Sequence, residues 1–277
     1  MRAIALSVRH ELIGLGGVVE RNFYLTRRYV WWDVAFFLWT VANTLTIVFI
    51  AKGIEATGGS IDVDTATTTL LIGGVVWAYL GIIFEFITET VAWERWEGTI
   101  EHTLMAPVSR AVHLIGMSIF GVLHAIVRTV LIFAIAVPFF SVDLGQANWF
   151  AAAVVIIVGS VSVAGLGILT GVLPLLYPER GTQMSFMIQA VVLLISGVYY
   201  SVDVLPPWLR VFSYISPATY FLDGIRGAII DGDGVQDLLG TLATLVLFGV
   251  ILVPGSIAVF AVAEKWARKT GQLKRQG

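Results

Sequence analysis

Six stretches of this chain, 33–52, 66–92, 111–140, 149–173, 184–200 and 238–263, are long and apolar enough to cross a lipid bilayer. A helix needs about 20 such residues to span a hydrocarbon core about 30 Å thick. Within that core every backbone N–H and C=O must find its partner inside the protein. The expected fold is therefore an all-α integral membrane protein. It is a single domain over 1–277 with six spans and both termini on one side. Pro138 marks the far end of the third span. Pro254 lies inside the sixth, where neighbouring helices can re-satisfy the freed carbonyl. Charge content agrees: 13% of residues are charged, about half the share of a soluble domain.

Lysine and arginine give the orientation. Arg2, Arg9, Arg21, Arg27 and Arg28 precede the first span. Lys265, Arg268, Lys269, Lys274 and Arg275 follow the last, and Arg95, Arg110 and Arg180 lie after spans two and four. Those 13 basic residues face only Lys52, Arg210 and Arg226 on the other side. Both termini are expected to be cytoplasmic, in a multi-pass protein of a prokaryotic cytoplasmic membrane. Residues 1–32 read as an amphipathic surface segment rather than a cleaved signal, because acids and arginines follow its short apolar run. Residues 263–277 form a basic tail.

The outer loops are acidic: Glu55, Asp62, Asp64, Asp143, Asp203, Asp231, Asp233 and Asp237. They read as a solvated face. A net charge of −2 gives no electrostatic case for nucleic acid. With no cysteine and only four histidines, neither a dedicated metal site nor a cysteine nucleophile is expected.

Between spans two and three lies a charged stretch, WEGTIEHTLMAPVSR. Gly98 interrupts any helix leaving span two, Thr99 can N-cap a new one, and Glu101 sits near its positive end. Pro107 ends it, and Ser109 can cap span three. One or two helical turns result, apolar at Ile100 and Leu104, with Trp96 and Met105 nearby and Glu97, Glu101 and His102 facing out. Such a turn is either a rigid knob for a socket on a soluble partner or a capped loop that touches nothing.

Outside, LPPWLRVFSYISPATYFLDGIRGAII holds two short helical patterns. Pro206 and Pro207 suit the start of the first and Pro217 the start of the second. Trp208 belongs to one apolar face and Tyr220 to the other. Each piece is too short to span, so the pair is expected as a re-entrant or surface hairpin, with Asp223 and Arg226 three apart and able to pair.

A few polar residues fall inside the spans. Glu85 and Glu89 share a helical face near the inner boundary and read as carboxylates facing water or Arg95. Arg128 lies near mid-membrane with His124 one turn below. At a cost of at least ~2.5 kcal/mol, the arginine must face protein or a wet cavity, either in an internal structural pair or as a contact for an anionic or polar headgroup in the transport pathway. Asn43 and Gln189 are expected to bond across helices, and Gly159, Gly165, Gly167 and Gly171 to allow close approach in span four.

The inner stretch ERWEGTIEHTLMAPVSR resembles the cytoplasmic loop of ABC-2 type transporter permeases, with Glu94, Arg95, Gly98, Thr99, Glu101, Pro107 and Ser109 in place. The outer segment is similar to that family's stretch before the last span, through Pro207, Trp208, Leu209, Pro217, Thr219, Tyr220, Asp223 and Arg226. The resemblance implies that the charged turn is a coupling helix seated in an ATP-binding subunit, with Glu94, Arg95, Glu97, Gly98, Thr99, Glu101, Leu104 and Pro107 in the coupling region. It implies two ATPase copies, which carry the ATP and magnesium, and a second permease copy or close relative, meeting this chain through spans one and five. The sequence has no Gly-Lys pair for a phosphate-binding loop, so the motor is expected on a separate subunit.

The expected function is export of an amphipathic cargo: a lipid, a lipid-linked glycan or a hydrophobic drug. A polysaccharide exporter is the nearest alternative, with Trp39, Trp77 and Tyr79 lining a channel. An integral membrane enzyme would need a convergent catalytic group, and a proton-coupled carrier would normally show internal repeats. Neither pattern is present.

Overall fold

The computed structural model describes residues 2–56 and 62–271; for 2–8 and for 55 and 56 it describes backbone alone. Lys274 and Arg275 of the basic tail therefore lie outside the described residues, as do the side chains of Arg2 and Glu55.

Ten α-helices make up the described chain: α1 (Arg2–Arg28), α2 (Val30–Ala56), α3 (Val63–Glu97), α4 (Ile100–Met105), α5 (Arg110–Phe140), α6 (Trp149–Leu176), α7 (Gly181–Ile195), α8 (Pro207–Tyr214), α9 (Pro217–Arg226) and α10 (Leu239–Lys269). A 3-10 turn (Val202–Val204) precedes α8, and a π turn (Gly227–Asp231) continues α9. No strand occurs among the described residues.

Five helices, α2, α3, α5, α6 and α10, are long and apolar enough to cross a membrane. The expected span at 184–200 is the exception. Its helix is α7, only 15 residues, or about 22 Å at 1.5 Å per residue. α7 packs on α6 and α3 and meets α8, and Gly197 then turns the chain with φ 69°.

The helix ends follow the local chemistry. Asp62 caps α3: its carboxylate accepts from the Thr65 amide (3.4 Å) and hydroxyl (2.5 Å), and these bonds hold it below the usual carboxylate value. At the other end Gly98, at φ 75°, stops α3 in the left-handed conformation that glycine favours. α3 thus reaches Glu97, five residues beyond the expected end of span two. Ser109 caps α5 by accepting from the Val112 amide at 3.3 Å. Thr99 occupies the N-cap position of α4 without capping it: its backbone is already helical, and its hydroxyl points back to the Glu94 carbonyl at 3.5 Å.

α6 sits at the centre, packed on α10 on one side and α3 on the other; α5 and α2 cover α3, and α1 lies along α5. The main core joins Leu80 and Phe84 of α3, Ala152 and Val155 of α6, Phe221 and Leu222 of α9, and Leu245 of α10. Gly159 makes that core possible. A Cβ there would fall 2.1 Å from the Phe221 ring. Phe221 in turn stacks on Tyr79 at 5.5 Å, and the Tyr79 hydroxyl meets Ser160 Oγ at 2.5 Å.

α1, α4 and the C-terminal end of α10 gather at one end of the bundle, called here the α4 end. α8 and α9 lie at the opposite, hairpin end.

Candidate functional site

Two polar constructions stand out, both toward the α4 end. The first is the seat of α4. Ile100 and Leu104 are buried in a small core with Val18, Leu114, Met117, Phe260 and Ala267, so the short helix is pinned by its apolar face. Its C-terminal carbonyls are the negative end of a peptide dipole, and cations meet them. Leu104 O accepts from Arg110 and also from Arg268 at 3.2 Å. Glu264 bridges those arginines, 2.8 Å from Arg110 and 2.6 Å from Arg268. On the other side His10 meets Pro107 O at 2.7 Å. Glu11 accepts from the Ser109 amide (3.3 Å) and hydroxyl (2.9 Å). One turn of helix is thereby tied to α1, α5 and α10.

What α4 leaves outside is distinctive. Trp96 is 78% exposed and Met105 71%, and Glu97, Glu101 and His102 are exposed beside them. Glu94 and Arg95, the first residues of the motif, are buried. Glu94 pairs with Arg21 of α1 at 2.5 Å, fixing α1 to the base of α3.

The second construction is a cavity of about 420 Å³ walled by α1, α2, α3 and α5. Here Arg128 finds the protein partners that its burial requires. Its guanidinium lies 3.6 Å from Asp33 and donates to Thr40 Oγ1 at 3.3 Å. His124 shares the same carboxylate, 3.1 Å from Asp33 Oδ1. Glu85 and Glu89 line the same space. They face Arg128 across it, not Arg95, and form no ion pair among the described residues. Aromatic side chains complete the walls, with Tyr29 edge-on to Trp93 at 5.7 Å.

Asp33 is the residue that sequence reasoning missed. It sits in the first turn of α2, directly after Trp31 and Trp32. An acid there favours the helix dipole, so its pattern is that of an ordinary interfacial residue. Only its depth relative to His124, one turn before Arg128, could have signalled the pairing. Glu264 was missed for the same reason.

Other expectations met different outcomes. Asn43 is exposed on α2, with no hydrogen bond among the described residues, and buried Gln189 has no partner for Nε2. Neither makes the expected cross-helix bond. Tyr79 is packed in the core, which removes it from a channel lining within this chain; Trp77 is partly buried against that core and Trp39 is exposed.

At the hairpin end, Pro207 and Pro217 begin α8 and α9 as expected. α8 leaves Trp208, Val211 and Phe212 exposed, whereas α9 buries Phe221, Leu222 and Ile225. Tyr220 bonds the Tyr214 carbonyl at 3.0 Å, tying the two together. Arg226 makes no ion pair with Asp223. It donates instead to the carbonyls of Gly197 (3.1 Å) and Val198 (2.7 Å), which the turn after α7 leaves without helical partners.

The sequence matches the ABC-2 type transporter family over residues 21–230. The chain belongs to that family. It is 28% identical over 156 residues to the inner membrane transport permease YadH of Escherichia coli K12, a match covering 56% of this chain and 59% of that protein. The proteins of the same name from Escherichia coli O157:H7 and Shigella flexneri match to the same extent. The matched region thus spans less than two thirds of these relatives' length. Both ABC-2 motifs, at Glu94–Ser109 and Pro207–Arg226, fall inside 21–230. The cavity lies within that region too, and the seat of α4 joins it to His10, Glu11, Val18, Phe260, Glu264, Ala267 and Arg268 from outside it.

Proposed function

We propose that this chain is the membrane permease of an ATP-binding cassette exporter in a bacterial plasma membrane. It moves an amphipathic cargo, a lipid, lipid-linked glycan or hydrophobic drug, and is driven by two copies of a separate ATPase subunit that carry ATP and magnesium. Both termini and α4 face the cytoplasm. α7 is a further crossing, the fifth of six in chain order, completed by the outer hairpin. A second permease copy pairs with this one through α2 and α7, whose outer faces are largely exposed and apolar.

The observation that carries the reading is the construction of α4. A six-residue helix has too few hydrogen bonds to stand alone in water. This one is held by three other helices and presents Met105 and Glu101 outward, beside Trp96 and Glu97 at the end of α3. Aromatic and methionine anchors ringed by charge suit a protein partner. A displacement of α4 by that partner would pass through Arg110 and Arg268 directly into α5 and α10.

The test is purification of the chain from its native host in mild detergent, followed by an ATP hydrolysis assay. The expected result is a stoichiometric ATP-binding subunit, released or uncoupled by Glu97→Lys/Glu101→Lys. Purification alone, even after gentle crosslinking, would remove the motor from the proposal.

A further inference from the structure

We propose that the cavity beside Arg128 is a binding site for a lipophilic organic cation, a single positive charge on an apolar body. The inference deepens the transport reading, and rests on it only for the consequence that the bound cation is cargo.

The charges in the cavity wall are unequally compensated. Its arginines are already occupied, Arg128 by Asp33 and Arg21 by Glu94, and the His124 ring is held on the same Asp33 carboxylate. The carboxylates of Glu85, Glu89 and Glu97 line the same space and have no ion-pair partner among the described residues. Arg128 lies across the space, but it is a single cation already held by Asp33. Glu85 is the one partly shielded from solvent, and there a carboxylate favours a positive charge more strongly than it would in water.

The apolar wall points the same way. Trp32, Phe36, Phe86 and Trp93 line the cavity. Aromatic faces carry partial negative charge and attract organic cations by about 0.5–2 kcal/mol each. Carboxylates combined with aromatic rings form a site for an onium or ammonium group whose substituents are themselves apolar.

A separate sign of an incomplete site comes from α1. Asn22 lines the cavity, is only 1% exposed, and its Nδ2 has no hydrogen-bond partner. A buried amide left without a partner costs about 1–3 kcal/mol. A turn of this side chain toward the space would let an acceptor atom on a ligand's body satisfy it.

Position gives access. The cavity adjoins the α1–α2 turn at Tyr29, near the end that the transport reading places at the cytoplasmic leaflet. That leaflet's anionic surface concentrates cations. Two sources share the chemistry: a soluble lipophilic cation, and the ammonium headgroup of a membrane aminolipid.

The experiment uses the full chain in lipid nanodiscs of phosphatidylglycerol, with protein-free discs subtracted. Tetraphenylphosphonium and tetraphenylborate have matched shape and opposite charge. The phosphonium is expected to bind saturably and the borate not. Glu85→Gln/Glu89→Gln is expected to weaken phosphonium binding about tenfold or more, which one lost contact at intermediate dielectric can supply.

Adding phosphatidylethanolamine to the discs separates the sources. Competition with the probe assigns the site to the lipid ammonium; unchanged binding assigns it to a soluble cation. Equal saturable binding of the borate, or wild-type affinity in the double variant, overturns the proposal. Should the variant not fold, the two probes on the wild-type chain still decide. An ATPase that co-purifies while the phosphonium fails to saturate removes this site and leaves the transport reading standing.

Discussion

Two clusters of charge in this bundle are built on opposite plans. Around α4, Glu264 answers two arginines, those arginines answer the Leu104 carbonyl, and Glu11 answers Ser109. Around Arg128, one aspartate answers both that arginine and the His124 ring while Glu85 and Glu89 are left across an open space. The first network is closed and the second is not. A closed network restrains positions and leaves little capacity for a ligand. An open one is poorer as structure, because its carboxylates hold no protein partner, and for that reason has free energy to gain when something binds.

The comparison breaks most sharply on stability. Glu264→Ala leaves Arg110 and Arg268 facing a carbonyl with no counter-charge. Losing one partner of a buried network typically costs about 3 kcal/mol or more, reduced here because Arg268 is half exposed. Thermal unfolding of the purified chain, followed by tryptophan fluorescence, should show a clear loss for this variant. Glu85→Gln should change stability by less than about 1 kcal/mol, since no protein partner is lost. Equal losses for the two variants would erase the distinction between closed and open clusters.

The apolar core supplies a control in which no charge takes part. Gly159→Val drives a side chain into the Phe221 ring. Overpacking of this kind costs about 1–3 kcal/mol. Because the contact is apolar, the loss should be independent of ionic strength. The Glu264→Ala loss should shrink modestly in high salt, through the exposed side of Arg268. A salt-sensitive Gly159→Val would mean that the core and the charged seat do not act separately.

How much of this was legible in the sequence depends on the range of the interaction involved. The long helices were readable because each carries its own apolar length, and Gly98, Pro107, Ser109, Pro207 and Pro217 act within a residue or two of where they stand. α7 was overestimated because 184–200 is mostly apolar, yet Gly197 turns the chain before the run ends. The α4 motif was visible as a motif, but the buried position of Glu94 was not. That depends on Arg21, 73 positions away by the numbering. Arg128 was recognisable as a residue that must have partners. Which partners depends on how α2 docks beside α5, and nothing local to Asp33 records that. The free carboxylates that define the cavity follow from the same docking.

The smallest test lies at the edge of the closed cluster, where the comparison can be sharpened. Ser109 has two roles. Its hydroxyl caps α5 through the Val112 amide and donates to Glu11 of α1. Loss of a serine cap typically costs about 1 kcal/mol, and exposure at this site places Ser109→Ala at or below that value. If Ser109 only caps α5, Ser109→Ala and Glu11→Gln should add. If it is also the clasp joining α1 to the α4 loop, the two changes remove the same contact, and the double variant should be less destabilised than the sum. Non-additivity of about 0.5 kcal/mol or more would place α1 within the closed network. Simple additivity would confine that network to α4, α5 and α10, and leave α1 held mainly by Arg21 and by the packing of Val18.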